Sequence, residues 1–252
     1  MAKIAVGIDI GGTGIKGALV DVKSGELIGD RVRVETPAGG EPDDIIQAVK
    51  GLLKQLPKHD AEAPIGICFP AVVRKGVTMS AANVSKKWIG FDADAAFEAA
   101  LKRHVHVLND ADAAGIAEMK YGAGQNETGL VIMTTLGTGI GSAIFYDGTL
   151  VPNAELGHLQ IDGVDYETRA AYSAMEREGL TFKQWAQRLQ KYYSELVALF
   201  SPDLIIVGGG ISKQSDEFLP LLKIKCEIVP AAKKNNAGIL GAARLAYKIH
   251  GN

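Results

Sequence analysis

The most constraining feature of the sequence is a short glycine-rich motif that occurs twice. Residues 12–20 read Gly-Thr-Gly-Ile-Lys-Gly-Ala-Leu-Val, and residues 137–145 read Gly-Thr-Gly-Ile-Gly-Ser-Ala-Ile-Phe. Each copy lies between two apolar runs, which is typical of two strands joined by a tight turn. Glycines supply the positive φ angles of such turns and let backbone N–H groups approach an anion closely. The repeat therefore predicts two similar lobes, each offering a glycine turn to one chain of phosphates.

Two better-known phosphate-binding motifs are excluded by the residues around the first copy. The sequence has no G-x-x-x-x-G-K-[ST], so it contains no P-loop. Residues 12–17 fit G-x-G-x-x-G, but a dinucleotide-binding fold needs a helix directly after the glycines. Here a further apolar run, a turn at 23–26 and another run follow, which indicates a meander of strands. An ordinary glycine-rich hairpin without a ligand is the alternative for either copy alone, but it is a weak explanation for two matching copies.

The two copies differ in the acidic residue that precedes them. Asp9 lies three residues before Gly12, whereas Thr134 holds the matching place before Gly137. Only the first lobe therefore brings a carboxylate to its turn, as expected if one Mg²⁺ is positioned from one side.

Asp110 is the candidate general base. Residues 105–108 read as a strand that ends abruptly in Asn109-Asp110, and α/β folds bind ligands beyond the ends of such strands. Phosphoryl transfer is mainly positioning and charge neutralisation, with one base that accepts the proton of the acceptor hydroxyl. The alternative for Asp110 is a helix cap, although Asp112 suits the cap of a helix over 113–121 better.

Glu155 and His158 form a second candidate cluster in a loop without periodicity. Glu155 can accept hydrogen bonds from sugar hydroxyls, and His158 can donate or accept them. The alternative for a lone histidine is a structural role. Zinc binding would need further donors, and no cysteine lies nearby.

Composition and the remaining pattern place the chain among globular α/β proteins. With 47% hydrophobic residues and a net charge of −2, nothing favours binding to nucleic acid or to a membrane surface. No apolar run approaches the ~20 residues that span a bilayer, and no signal peptide precedes the first strand. Cys68 and Cys226 predict buried, reduced thiols, so we expect a cytoplasmic protein. Thr181 is expected to cap a long helix that continues through Phe200.

Taken together, the motifs resemble the ROK-family sugar kinases of the actin-like ATPase superfamily. The matching stretches are residues 9–16, 108–112, 136–141 and 155–158, in order and spacing. Residues 80–88 and 202–213 are most similar to the polyphosphate-dependent glucokinases and glucomannokinases of that family. The resemblance implies an α/β, two-lobed actin-like ATPase (ribonuclease-H-like) fold with a central cleft. Its lobes are expected at 1–108 and 109–238, with the C-terminal helix 239–252 packing back on the first.

The resemblance also implies a reaction and a role for individual residues. Asp110 would deprotonate the 6-hydroxyl of glucose, polyphosphate or ATP would be the donor, and Asp9 would act on Mg²⁺ through water. The implied sugar contacts are Asn83, Asn109, Asp110, Glu155, His158 and Glu167. The implied phosphate contacts are Gly11, Gly12, Thr13, Gly14, Lys16, Thr138, Gly139, Gly209 and Gly210. A homodimer is the expected assembly.

In one respect the chain departs from the family pattern. Many members follow the histidine with cysteines that bind structural zinc, whereas residues 157–169 contain none, so we predict no zinc. The alternatives are a kinase that uses ATP alone, a sugar-sensing regulator and a filament-forming ATPase. A regulator would carry a DNA-binding segment ahead of the first turn, and a filament-forming ATPase has no need of the 155–158 loop. Whether mannose is also a substrate stays open.

Polyphosphate has no nucleobase that a protein could recognise, so its chain must be held by distributed positive charge and backbone N–H groups. The alternative for any single lysine is a solvated surface residue. The candidate contacts are Lys86, Lys87, Lys213, Lys233 and Lys234.

Overall fold

A computed structural model of the protein describes residues 3–251; residues 1, 2 and 252, at the ends of the predicted lobes, lie outside the described residues. The chain divides into two compact units. The first consists of Met1–Ala117 and Asn236–Asn252, and the second of Glu118–Asn235.

Within residues 3–121, the chain forms eight strands and three helices. These are β1 (Ile4–Ile10), β2 (Ile15–Asp21), β3 (Glu26–Val34), α1 (Pro42–Leu53), β4 (Ile65–Phe69), β5 (Val73–Arg74), β6 (Val77–Thr78), β7 (Phe91–Asp92), α2 (Ala93–Leu101), β8 (Val105–Asn109) and α3 (Asp110–Tyr121), with a 3-10 turn at Lys86–Trp88.

The rest of the chain forms seven strands and four helices. These are β9 (Leu130–Leu136), β10 (Ile140–Tyr146), β11 (Thr149–Val151), β12 (Gln160–Ile161), β13 (Val164–Asp165), α4 (Glu167–Ala170), α5 (Tyr172–Glu178), α6 (Phe182–Phe200), β14 (Leu204–Gly208), β15 (Glu227–Pro230) and α7 (Ala237–His250). Further 3-10 turns lie at Leu156–His158, Gly210–Glu217, Leu219–Leu221 and Lys234–Asn236.

The two units contain five-stranded sheets of the same topology. The strand orders are β3-β2-β1-β4-β8 and β11-β10-β9-β14-β15. In each sheet the first three strands are paired antiparallel, and the remaining two join in parallel. The glycine motif is in both cases the turn between the second and third strands in that order, β2–β1 and β10–β9. The repeat in the sequence is thus repeated in the fold, and the predicted α/β class and strand meander are confirmed.

The first unit extends beyond residue 108, where the lobe boundary was predicted. β8 pairs in parallel with β4 and continues directly into α3. Ala113 of that helix lies so close to Gly241 of α7 that a Cβ at Gly241 would overlap the carbonyl oxygen of Ala113. Because of these contacts Asn109 and Asp110, which the prediction placed in the second lobe, belong to the first unit.

Two glycines let α7 pack directly on the first sheet. A Cβ at Gly7 of β1 would overlap the carbonyl oxygen of Ile239, and a Cβ at Gly66 of β4 would overlap that of Ala242. Only a residue without a side chain permits backbones to approach so closely. The C-terminal helix is therefore part of the first unit.

Three sequence predictions of local structure can be compared directly. Thr181 caps α6 through a capping box with Gln184, as predicted. Cys68 and Cys226 are both free thiols; Cys68 is buried, but Cys226 is only partly buried, because it lies in the irregular segment before β15. Among residues 3–251 no helix combines the length and apolar character needed to cross a bilayer.

Candidate active site

The turn between β1 and β2 has its carbonyl oxygens occupied by the protein. The N–H of Gly11 donates to the carbonyl of Gly14 (3.1 Å). The Gly11 carbonyl accepts from the Thr36 hydroxyl (2.5 Å), and the Thr13 carbonyl accepts from the Arg33 guanidinium (3.1 Å). A Cβ at Gly14 would lie 2.7 Å from Nε of Arg33, so a side chain there would displace the guanidinium from the turn. With its carbonyls held in this way, the turn is suited to present N–H groups to an anion.

The turn between β9 and β10 is one residue shorter, because Leu136 pairs with Ile140 whereas Ile10 pairs with Ile15 in the first turn. The N–H of Gly137 donates to the carbonyl of Gly139 (3.0 Å). Ser173, in the first turn of α5, donates its N–H to the Gly137 carbonyl (3.0 Å) and its hydroxyl to the Thr138 carbonyl (2.6 Å). A Cβ at Gly139 would lie 2.5 Å from a carboxylate oxygen of Glu167. The two turns thus differ in their internal hydrogen bond, which joins Gly11 to Gly14 in one and Gly137 to Gly139 in the other. They share a carbonyl held by a side chain at the matching positions Thr13 and Thr138.

Thr36, Arg33 and Ser173 are residues that the sequence reasoning missed. Each acts on a backbone carbonyl of a turn that lies elsewhere in the chain. No spacing or residue pattern marks such a contact, and only the strand pairing and helix placement bring the side chains to the turns.

The carboxyl ends of three parallel strands bring the predicted acidic residues of the first unit together. Asp9 of β1 is in register with Cys68 of β4, which is in register with Leu108 of β8. Asp9 Oδ2 lies 3.3 Å from Nζ of Lys16, and its Oδ1 accepts from Sγ of Cys68 at 3.4 Å. Burial, followed by the nearby carboxylates of Asp9 and Asp110, raises the pKa of the Cys68 thiol well above its ordinary value. Cys68 is therefore a protonated donor beside both carboxylates.

The start of α3 differs from the prediction. The helix begins at Asp110, and the side-chain oxygen of Asn109 accepts from the N–H groups of Ala111 (2.8 Å) and Asp112 (3.0 Å). The prediction that Asp112 caps a helix beginning at residue 113 is therefore wrong, because Asn109 already satisfies the first helical N–H groups. Asp110 is exposed at the helix start, and its Oδ1 accepts from the N–H of Ala111 (2.8 Å).

Two predicted sugar contacts of the first unit have different surroundings. Asn109 is buried, and its amide group also donates to the carbonyl of Ala71 (3.1 Å). Asn83 is exposed and adopts a left-handed backbone with φ of 60°, which asparagine tolerates better than most residues. Its Cβ lies 3.0 Å from the position that a Cβ at Gly12 would take. Asn83 is thus next to the first phosphate turn.

The predicted sugar contacts of the second unit lie together. Glu155 immediately precedes the 3-10 turn Leu156–His158, which is held to β10 because the Ser142 hydroxyl accepts from the Leu156 N–H (2.8 Å). Nδ1 of His158 lies 3.8 Å from Oε1 of Glu167, and Oε2 of Glu167 accepts from the N–H of Ile140 (3.0 Å). Glu167 therefore connects the histidine to the second phosphate turn.

The charges in this cluster shift the pKa values of two of its members. Partial desolvation and the nearby Glu167 raise the pKa of Glu155, with His158 opposing. The hydrogen bond to Asp165 raises the pKa of His158, and the neighbouring carboxylates add to it. The loop is therefore an arrangement of hydrogen-bond acceptors around one histidine, which suits a polyhydroxylated ligand.

Two places in the described chain have donors for a metal ion. His158, Asp165 and Glu167 each place one ligand atom within 4.8 Å of the others. The carboxylate of Asp9 is one-quarter exposed and offers hard oxygen atoms at the edge of the first phosphate turn. Mg²⁺ prefers such oxygen ligands and retains several waters, so Asp9 fits an ion held through water.

The third glycine loop lies beside the second phosphate turn. Gly209 has a φ of 87°, and a Cβ there would lie 2.7 Å from the backbone nitrogen of Leu136, the last residue of β9. Gly210 begins a 3-10 turn with open space around its Cα, and Lys213 on that turn is exposed.

The other candidate lysines have varied partners. Lys86 is exposed, whereas Nζ of Lys87 lies 2.9 Å from a carboxylate oxygen of Glu41. The backbone N–H of Lys233 donates to the fully buried carboxylate of Glu118 (2.6 Å), and Lys234 is exposed with a φ of 48°. The hydrogen bond to Glu118 fixes the backbone of the loop that carries Lys233.

Comparisons with known proteins find similarity to one family and to sugar kinases. The ROK family model matches residues 5–179. A polyphosphate glucokinase of Mycobacterium tuberculosis is 46% identical over 238 residues, which cover 94% of this chain and 89% of that protein. The crystal structure of an inorganic polyphosphate/ATP-glucomannokinase from Arthrobacter sp. strain KM matches with a TM-score of 0.93 at 52% identity, covering 98% of this chain and 99% of that one. A ROK family glucokinase from Streptomyces griseus, in complex with glucose and AMPPNP, matches with a TM-score of 0.79 at 26% identity, covering 97% and 99%.

Proposed function

The chain belongs to the ROK family, and we propose that it transfers a phosphoryl group from inorganic polyphosphate or ATP to the 6-hydroxyl of glucose. Family membership confirms the resemblance carried by the sequence motifs. Relatives at 46% and 52% identity are sugar kinases, so the chain is a hexokinase-type phosphotransferase. The observation that carries the proposal is the exposed carboxylate of Asp110, which lies at the carboxyl end of the strand row that also bears Asp9.

Asp110 acts as the general base in this proposal. Its Oδ1 accepts the N–H of Ala111, which orients the carboxylate at the start of α3. The sugar hydroxyl gives its proton to this carboxylate while its oxygen bonds to the terminal phosphorus of the donor. The bond between that phosphorus and the bridging oxygen breaks, and ADP or a shortened polyphosphate leaves with the electron pair.

The glycine turns and Lys16 hold the donor phosphates. Residues 12–14 and Thr138-Gly139 offer backbone N–H groups, while Gly11 closes the first turn by its bond to Gly14. The ammonium of Lys16 supplies positive charge beside Asp9. Gly209 and Gly210 lie next to the second turn and extend the surface open to the donor. Asp9 would hold a Mg²⁺ through water, and the ion would supply positive charge to neutralise the phosphates.

The remaining sugar hydroxyls are bound by Asn83, Asn109, Glu155, His158 and Glu167 in this proposal. The carboxylates accept hydrogen bonds from the hydroxyls, and the Asn83 amide can donate and accept. Asn109 would use its second amide hydrogen, because its oxygen already accepts from Ala111 and Asp112. The relative at 52% identity is a glucomannokinase, which supports a test of mannose beside glucose. We expect a homodimer in the cytoplasm and no bound zinc.

The decisive experiment measures sugar-dependent consumption of the donor. Purified protein is incubated with one sugar, glucose or mannose, and one donor, ATP or polyphosphate. The sugar 6-phosphate is quantified together with the spent donor, which is ADP or shortened polyphosphate. We expect sugar phosphate to appear in stoichiometric amount with donor cleavage. Absence of sugar-dependent turnover with both donors would refute the kinase function, and turnover with ATP alone would support the ATP-only alternative.

A further inference from the structure

A short hairpin separates His158 from Glu167 and brings a distant carboxylate back to the histidine. β12 and β13 pair Gln160 with Asp165, and the connecting residues Asp162 and Gly163 both have positive φ angles, of 54° and 73°. Such a two-residue turn matches the twist of the strands that it joins. The N–H of Tyr166 donates to the carbonyl of Leu159 (3.1 Å), which closes the hairpin below His158.

The carboxylate of Asp165 is the nearest acidic partner of the histidine ring. Its Oδ2 lies 2.9 Å from Nδ1 of His158, whereas Glu167 Oε1 is 3.8 Å from the same nitrogen. An ionised carboxylate only accepts hydrogen bonds, so Nδ1 carries the proton in this pair. The orientation of the ring is then fixed, and Nε2 is the ring atom that remains to meet a ligand.

Folding stability does not account for Asp165. His158 and Asp165 have side chains that are 54% and 42% exposed, and pairs this exposed contribute little to stability. The other carboxylate oxygen of Asp165 is buried, with no hydrogen-bond donor for it among residues 3–251. A buried acceptor without a partner costs stability. The contact that Asp165 makes through Oδ2 is the one to His158, so its effect is on the histidine.

We propose that Asp165 is a positioning residue for the sugar site: it holds the His158 ring so that Nε2 meets a hydroxyl of the bound sugar. The inference rests on the proposed function, and it adds a determinant of sugar affinity that acts through the histidine. Glu167 has a different task, because its Oε2 is bound to the N–H of Ile140 in the second phosphate turn.

The test first compares two Asp165 variants with the wild-type enzyme. Asp165→Leu removes the acceptor at similar volume and is expected to raise the KM for glucose about tenfold, as the loss of one orienting hydrogen bond typically does. The KM for either donor should change less than about twofold, and the melting temperature should stay within about 3 °C. Asp165→Asn keeps one acceptor oxygen and should restore most of the affinity. Glucose dissociation constants from calorimetry should follow the same order.

A double-mutant cycle decides whether Asp165 acts through the histidine. In a His158→Gln background, Asp165→Leu should have no further effect on glucose binding, because the ring that it orients is absent. Additive effects would overturn the proposal, as would an unchanged KM in Asp165→Leu. If that variant does not fold, Asp165→Ala removes the same acceptor and is judged by the same criteria.

A matched control comes from the tip of the same hairpin. Asp162 is ion-paired with Lys191, away from the histidine, so Asp162→Asn should leave the glucose KM unchanged. An equal rise in both variants would mean that only hairpin integrity matters, which would also overturn the proposal. If the wild type shows no sugar-dependent turnover, the proposed function fails; if it turns over glucose normally and only the cycle fails, the inference about Asp165 alone is lost.

Discussion

Asp110→Asn is the most informative perturbation of the proposed mechanism. In the structure Oδ1 of Asp110 accepts the N–H of Ala111 at 2.8 Å, and the oxygen of an asparagine amide can accept the same bond. The side-chain oxygen of Asn109 accepts from the same Ala111 N–H and from that of Asp112 as well. The substitution therefore leaves the helix start in place, and we expect a stability change within about 0.5 kcal/mol.

The expected effect on turnover is much larger than the effect on folding. An amide cannot take the proton of the sugar hydroxyl, and loss of a general base typically costs ~10²–10⁴-fold in rate. At 1.36 kcal/mol per tenfold, this corresponds to about 2.7–5.4 kcal/mol added to the barrier. The binding constant for glucose should change by less than about threefold, because shape and hydrogen bonding are largely preserved.

The assay combines steady-state kinetics of glucose 6-phosphate formation with calorimetric binding of glucose. A suitable control is Asp92→Asn, since Asp92 is likewise a carboxylate at a helix start, where it accepts the N–H of Ala95 (3.0 Å). We expect kcat to be unchanged in that control. If Asp110→Asn kept more than about a tenth of the wild-type kcat, Asp110 would not be the base.

Three further predictions concern the donor, the metal and the pH dependence of stability. Replacing Lys86 and Lys87 together by glutamine should raise the KM for long polyphosphate more than the KM for ATP, and the difference should shrink at higher salt. Because Lys87 is paired with Glu41, Lys86→Gln alone should account for most of the rise in the polyphosphate KM. Equal losses for both donors would rule these lysines out as donor determinants. Removing Mg²⁺ with a chelator should stop turnover, and metal analysis of the purified protein should find no stoichiometric zinc, a result that one zinc per chain would contradict. Burial raises the pKa of Asp94 to about 6, above the ~3.9 of an unfolded chain. The folded state therefore holds the Asp94 proton more tightly, and the stability that this proton contributes is lost as pH rises from about 4 to 6. Asp94→Asn should flatten the dependence of the melting temperature on pH across that window, and an unchanged profile would contradict this reasoning.

The sequence by itself determined the features that depend on neighbouring residues. The two Gly-Thr-Gly-Ile motifs predicted two strand–turn–strand elements, because glycine permits the close backbone approach of a tight turn. The expectation that these glycines supply positive φ angles was wrong, since positive φ angles occur at other glycines and not in either turn. The capping box of Thr181 was predictable for the same reason, since donor and acceptor lie within one helical turn. The repeat even anticipated two sheets of one topology, because similar local patterns fold into similar units.

The start of α3 shows how far local reasoning reaches. The sequence pattern offered Asp110 and Asp112 as caps, whereas Asn109 takes this role in the structure. Which residue caps the helix depends on where β8 ends. That end is set by the parallel pairing of Asn109 with Phe69 in β4, a contact between distant parts of the chain. The sequence pattern therefore identified the polar strand end but misplaced the cap.

Only the tertiary structure decided which side chains hold the site in shape. Arg33, Thr36 and Ser173 bind turn carbonyls, and Asp165 reaches His158 through a hairpin. Each of these contacts joins a common residue type to a partner that neither spacing nor composition identifies. A hydrogen bond requires its two atoms within about 3 Å of each other, and strand register and helix packing set that distance for residues far apart in the chain.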